Sequence, residues 1–185
     1  MPDAAFFYKG GAGSKFSRQP ASYFCVTGSA DLNSYNLPAY ARSIDLISRT
    51  YNLEPLFIYS RKSDGVVAKE YEKLTQSHAS VISHETNADV DDLIPVLYGS
   101  VFVLGGRYHT SITALTLAVP TILTNSNSHK SIGLAKIFHN DAKLVDHADQ
   151  NQIVQSVADI LADPVRLKSR IIDKMNGLQL PIKTA

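Results

Sequence analysis

Arg107 and His109, in the pentapeptide Gly105-Gly106-Arg107-Tyr108-His109, are the side chains of this chain best suited to chemistry. An apolar run from Ser100 to Leu104 precedes them and a helix-like stretch from Thr110 to Ala118 follows, so a guanidinium and an imidazole fall at a strand-to-helix turn. The paired glycines let a ligand approach the backbone closely. The planar fork of Arg107 suits a carboxylate or phosphate, and the imidazole of His109 titrates near neutrality, as a proton donor or electrostatic stabiliser must. Lys130 follows the polar run Asn125 to His129 and precedes Ser131-Ile-Gly-Leu134, beside a second helix start where an ammonium can neutralise another anionic group. Gly105, Gly106, Asn125 and Ser126 complete the candidate binding set. Each has a plainer alternative. Arg107 can seal the rim by pairing with an acidic neighbour such as Asp31, His109 can cap or bond the backbone, and Lys130 can be a solvated lysine whose role His129 shares.

These residues need elements to hold them, and from Tyr23 onward short apolar runs alternate with longer amphipathic ones, the pattern of β-α units around a parallel sheet. The pattern predicts strands over Tyr23–Thr27, Pro55–Tyr59, Ser80–Ser83, Ser100–Leu104, Pro120–Thr124 and Lys143–Val145. It predicts helices over Leu37–Tyr51, Gly65–Gln76, Val90–Tyr98, Thr110–Ala118, Ser131–Phe138, Gln150–Leu161 and Pro164–Met175. Asp89 or Asp91 and Asp149 are placed to start helices, and Gly99 and Gly177 to end them. The fold class that follows is α/β, a doubly wound Rossmann-like sheet of order 3-2-1-4-5-6 with its switch point beside the first strand. The loops after strands one and four, Gly28 to Asn33 and Gly105 to His109, then meet at one rim, with the loop after strand five next along the edge.

The rest of the chain narrows the function classes. A net charge of +1 without a polybasic stripe argues against a duplex nucleic-acid footprint and leaves room for a small anion gripped by local cations. The single cysteine, Cys25, lies in the apolar run Tyr23–Thr27, which excludes an internal disulfide and points to a buried structural thiol. No metal is expected, because His78, His84, His139 and His147 show no metal-ligand spacing; His84 stands at the end of a strand as a rim candidate. Gly10-Gly-Ala-Gly-Ser-Lys15 lacks the spacing of a phosphate loop and reads as a linker, and Ala114–Leu123 is a helix-strand junction broken by Pro120. With no run of apolar residues long enough to span a bilayer and no signal-peptide pattern, a soluble cytoplasmic protein is expected. Residues 1–22 are expected to be a lead-in from an upstream element or domain, 23–178 the Rossmann-like domain and 179–185 a frayed tail.

The stretch from Gly106 to Leu123, followed by Lys130-Ser-Ile-Gly-Leu134, resembles the C-terminal half of polysaccharide pyruvyl transferases: an Arg-x-His before an alanine-rich helix, a proline-led strand, then a lysine. The segments Ala88–Ile94 and Leu97–Leu104 are similar to that family's approach to the motif, and the likeness is looser from Tyr23 to Ser83. The resemblance implies the C-terminal half of a glycosyltransferase-B-like architecture that moves the enolpyruvyl unit of phosphoenolpyruvate onto a sugar of a cell-surface polysaccharide. It would place Arg107 and Lys130 on the donor's charges and make His109 the acid or the stabiliser of the leaving phosphate. Phosphoenolpyruvate is then a donor substrate, a sugar or glycan the acceptor, and no cofactor is needed. Two other readings stand beside it. A nucleotide-sugar glycosyltransferase or epimerase domain uses the same architecture but wants an acidic residue for the ribose hydroxyls, where the loop after strand five offers asparagines and a lysine. A non-catalytic binding module could keep the fold and the pocket.

Overall fold

The structure, a computed structural model, describes residues 22–59, 62–83, 90–126 and 129–178. The lead-in with its Gly10–Lys15 segment, His84, Asp89 and the tail from residue 179 lie outside the described residues. The strands are β1 (Tyr23–Thr27), β2 (Glu54–Tyr59), β3 (Ser80–Ser83), β4 (Val103–Gly105), β5 (Thr121–Thr124) and β6 (Leu144–Val145). The helices are α1 (Leu37–Tyr51), α2 (Gly65–Thr75), α3 (Val90–Tyr98), α4 (Tyr108–Thr116), α5 (His129–Phe138), α6 (Gln150–Ala162) and α7 (Pro164–Leu178). All strand pairs are parallel, in one six-stranded sheet of order β3-β2-β1-β4-β5-β6, which is the doubly wound order the sequence predicts.

The alternation of β1 decides which helices lie on which face. Phe24 and Val26 share a core with Tyr40, Ile44 and Ile47 of α1 and Val67, Ala68 and Tyr71 of α2, whereas Cys25 packs with Leu93 and Leu97 of α3 and Ala114 of α4. Phe24 stacks on Phe102 with ring centroids 4.9 Å apart. The buried positions of α1 recur at helical spacing, and the helix ends where Asn52 turns left-handed and its N–H returns to the Ser48 carbonyl. α1 packs on both α2 and α6, and α4 on α3, α5 and α7.

Several element ends move, each for a local reason. β4 starts at Val103 rather than Ser100, because Ser100 is drawn back to the end of α3, donating both its N–H and its Oγ to the Leu97 carbonyl. α4 starts at Tyr108, two residues early, with Arg107 as its N-cap residue, and stops at Thr116 because Ala118 adopts a left-handed φ of 58° before Val119 and Pro120. α5 includes His129 and Lys130 in its first turn. Gly177 does not end α7, which runs on to Leu178. Asp149 caps α6 as expected, accepting from the Gln152 N–H at 2.9 Å. Among the described residues no helix is long and apolar enough to cross a membrane.

Candidate functional site

Parallel strands all release their loops at the same edge, and here the loops after β1, β4 and β5 are bonded to one another. The Gly106 N–H donates to the Gly28 carbonyl at 3.1 Å, and Ser29 Oγ donates to the Asn125 carbonyl at 2.6 Å. Gly105 has a φ of +152°, and a Cβ there would overlap Thr27 Oγ1, so this position demands glycine for conformation and for space. A Cβ on Gly106 would fall 2.6 Å from Ser29 Cβ and 3.0 Å from Thr124 Oγ1. The turn that carries Arg107 is therefore pressed against β1 and β5, and α4 begins immediately after it.

Arg107 is not a free cation. Its Nε donates to Asp64 Oδ1 at 2.8 Å, its Nη2 pairs with the same oxygen, and Nη2 also reaches Ser63 Oγ at 3.1 Å. The pair is well buried, the side chains being 13% exposed for Arg107 and 1% for Asp64. The rim-sealing alternative describes this contact, but the partner is Asp64 rather than Asp31, whose N–H and carbonyl serve its own loop through Ser29, Asn33 and Asn36. Asp64 ends the 3-10 turn Lys62–Asp64 and immediately precedes α2. It reaches Arg107 because β2 and β4 flank β1 in the sheet, a proximity with no local signal in the sequence.

His109 and Lys130 come together around a third residue. His109 is exposed in the first turn of α4, its ring edge-on to Tyr108 at 5.6 Å between centroids. Lys130 is exposed at the start of α5 with its ammonium 5.2 Å from the Tyr108 ring centroid. Lys130 and His109 thus meet on the Tyr108 ring at the N-terminal ends of α4 and α5, where both helix dipoles favour negative charge. His129, also exposed, stands beside Lys130.

Asn125 and Ser126 are engaged within the protein. Asn125 Nδ2 donates to Asp146 Oδ2 at 3.1 Å, and the Ser126 and Ser131 hydroxyls lie 2.9 Å apart, tying the β5 loop to α5. Of the histidines set aside on spacing, His78 is exposed near Glu72, His139 is exposed, and His147 is buried edge-on to Tyr40. Burial lowers the His147 pKa to about 4 against the opposing pull of Asp146 and Asp31, and its Nε2 has no partner among the described residues. Burial also pushes the Cys25 thiol up to about 12, which leaves it inert. Among the described residues no group of three or more histidine, cysteine or acidic side chains could hold a metal ion.

No protein-family model matches this chain, and no curated protein matches it in sequence. Solved structures do match its fold. The O-GlcNAc transferase of Thermobaculum terrenum superposes over 90% of this chain and 34% of its own, with a TM-score of 0.61 at 12% identity. The UDP-GlcNAc 2-epimerase of Neisseria meningitidis, bound to UDP-GlcNAc, matches over 83% of this chain and 39% of its own, with a TM-score of 0.53 at 13% identity. The C-terminal CMP-Kdo binding domain of WaaA from Acinetobacter baumannii matches over 86% of this chain and 91% of its own, with a TM-score of 0.56 at 14% identity. The chain spans 42% of the chain of a UDP-N-acetylglucosamine 2-epimerase-like structure from Listeria monocytogenes and 40% of that of a trehalose-phosphate synthase from Burkholderia vietnamiensis. At these identities the likeness shows the fold alone: a six-stranded parallel sheet flanked by helices, the Rossmann-like GT-B fold of these neighbours. It also corrects the pyruvyl transferase resemblance, because the structural neighbours are GT-B glycosyltransferases and UDP-GlcNAc 2-epimerases and no family model supports pyruvyl transfer. The Arg-x-His pattern misled because a glycine turn with a cation before a helix is what this sheet edge offers to anions in general, and Arg107 is already committed to Asp64.

Proposed function

We propose that this chain is the nucleotide-sugar-binding half of a glycosyltransferase- or epimerase-type protein, taking the donor's phosphate at the N-terminal ends of α4 and α5. The observation that carries the reading is the gathering of Lys130 and His109 on the Tyr108 ring across two neighbouring helix starts, next to a glycine turn packed tightly against β1 and β5. Neighbours with the same fold are described as bound to UDP or UDP-GlcNAc and as a CMP-Kdo binding domain, so a nucleotide-sugar is the ligand class that fits. Chemistry on such a donor breaks the bond between the anomeric carbon and a phosphate oxygen. The phosphate gains negative charge as it leaves, and Lys130 with the N–H groups of two helix starts would stabilise that charge. His109 would donate or accept a proton beside it. The scheme invokes no metal or cofactor.

Neutralisation of Arg107 by Asp64 favours one second reading, a module that binds the same ligand without turning it over. Calorimetric titration of the chain with UDP, UDP-GlcNAc and CMP separates ligand binding from no site at all. Micromolar to low-millimolar affinity for at least one of these supports the proposal, and heat no greater than dilution for all three refutes it. Turnover, measured on the protein in its longest form with and without His109→Ala, then decides between enzyme and module.

A further inference from the structure

We propose that Asp64 is a positioning residue for ligand binding, holding the Arg107 guanidinium in one orientation so that its free edge meets the anionic group of the donor. The inference rests on the nucleotide-sugar reading above. Arg107 spends Nε and Nη2 on Asp64 and Ser63, while its Nη1 group makes no hydrogen bond among the described residues and the side chain keeps 13% of its surface exposed. Nη1 therefore has two N–H donors left for a ligand.

Asp64 is fixed more firmly than the arginine it holds. Its side chain is 1% exposed, it stands at the N-terminal end of α2 where the helix dipole favours a carboxylate, and it lies directly against Gly28, where any Cβ would overlap Oδ1. A ligand anion cannot take its place, so the contact is a permanent brace. Gly28, Asp64 and Arg107 span the loop starts after β1, β2 and β4, on both sides of the switch point. An unbraced arginine loses rotamer freedom each time it grips a ligand, and a braced one has lost it in folding.

This account and a purely electrostatic one differ in sign. Removing a carboxylate from an anion site raises the local potential, so electrostatics alone predicts tighter binding by Asp64→Asn; positioning predicts weaker binding. The test is calorimetry with UDP and inorganic pyrophosphate on the wild type, Asp64→Asn, Arg107→Ala and the double variant, with circular dichroism confirming each fold. Asp64→Asn is expected to weaken binding roughly tenfold, and the double variant to bind no worse than Arg107→Ala. Tighter or unchanged binding by Asp64→Asn, or additive losses in the double variant, overturns the inference. Arg107→Lys serves where Asp64→Asn does not fold: it keeps the charge and loses the fork, so binding as weak as that of Arg107→Ala supports positioning and retained affinity overturns it. Wild-type binding that Arg107→Ala leaves intact sinks this inference while the nucleotide-sugar reading stands. Failure of the wild type to bind either probe sinks this inference, and the nucleotide-sugar reading falls with it where UDP-GlcNAc and CMP also give no heat beyond dilution.

Discussion

The rings of Tyr40 and the buried His147 meet edge to face, with centroids 5.2 Å apart and planes at 86°, and Tyr40 in turn donates its hydroxyl to the Thr27 and Leu104 carbonyls. The loop after β6 is thereby braced, through α1, against the ends of the two strands that lead into Gly28 and Gly105. His147 serves as a packed, neutral ring in this brace. Between pH 6.5 and about 4 the unfolded chain binds a proton that the native chain refuses, so stability falls with acid through that window and is fully present above it. With about 1.4 kcal/mol for each tenfold change in proton affinity, the loss amounts to roughly 3 kcal/mol. His147→Phe should flatten the dependence, and at pH 7 it should be neutral or stabilise by about 1 kcal/mol by removing the unpartnered Nε2. Urea midpoints from pH 4 to pH 7 for both proteins check this.

Gly105→Ala should destabilise the chain by about 2 kcal/mol or more, since it combines a φ of +152° with overlap on Thr27 Oγ1. Thermal denaturation measures the loss. Gly133→Ala, where a Cβ meets nothing within 4 Å, should instead be neutral or slightly stabilising because it sits inside α5.

Lys130→Ala removes the ammonium over Tyr108 at the start of α5 and should weaken binding of UDP about five- to tenfold, with a shallower salt dependence. Stability should hardly change, because Lys130 is exposed. Calorimetry at two ionic strengths tests both parts.

Asp149→Ala should cost about 1 kcal/mol, since its carboxylate accepts the Gln152 N–H at the start of α6. Ligand affinity should be untouched. A loss of UDP binding in this variant, with the fold intact, would show that the ligand lies elsewhere than the starts of α4 and α5.

The strands, the sheet order and the edge where the candidate residues gather are legible in the sequence because parallel β-α units repeat a short apolar run and a longer amphipathic one, and chirality then limits the order. Arg107, His109 and Lys130 could be placed at helix starts for the same reason. What a linear reading could not see is Asp64. It has no motif, it sits far along the chain from Arg107, and only the presence of β1 between β2 and β4 brings it close. Tyr108 carries no sequence signal between two more reactive neighbours, although its ring is what Lys130 and His109 share. Asn125 and Ser126 read as ligand donors because they are polar and near the rim; their bonds to Asp146 and Ser131, which tie the loop down, form only in the fold and carry no local signal. The chemistry of the donor was the hardest to read, since any anion suits a glycine turn before a helix and a cation.

Mapping amide chemical shifts of the ¹⁵N-labelled chain during titration with UDP-GlcNAc tests the central claim most directly. The account predicts saturable shifts centred on Gly105 to Thr110 and His129 to Ser131, with the opposite edge around Asn52, Gln76 and Ser80 silent. Shifts centred on that opposite edge, or none at concentrations well into the millimolar range, would contradict it.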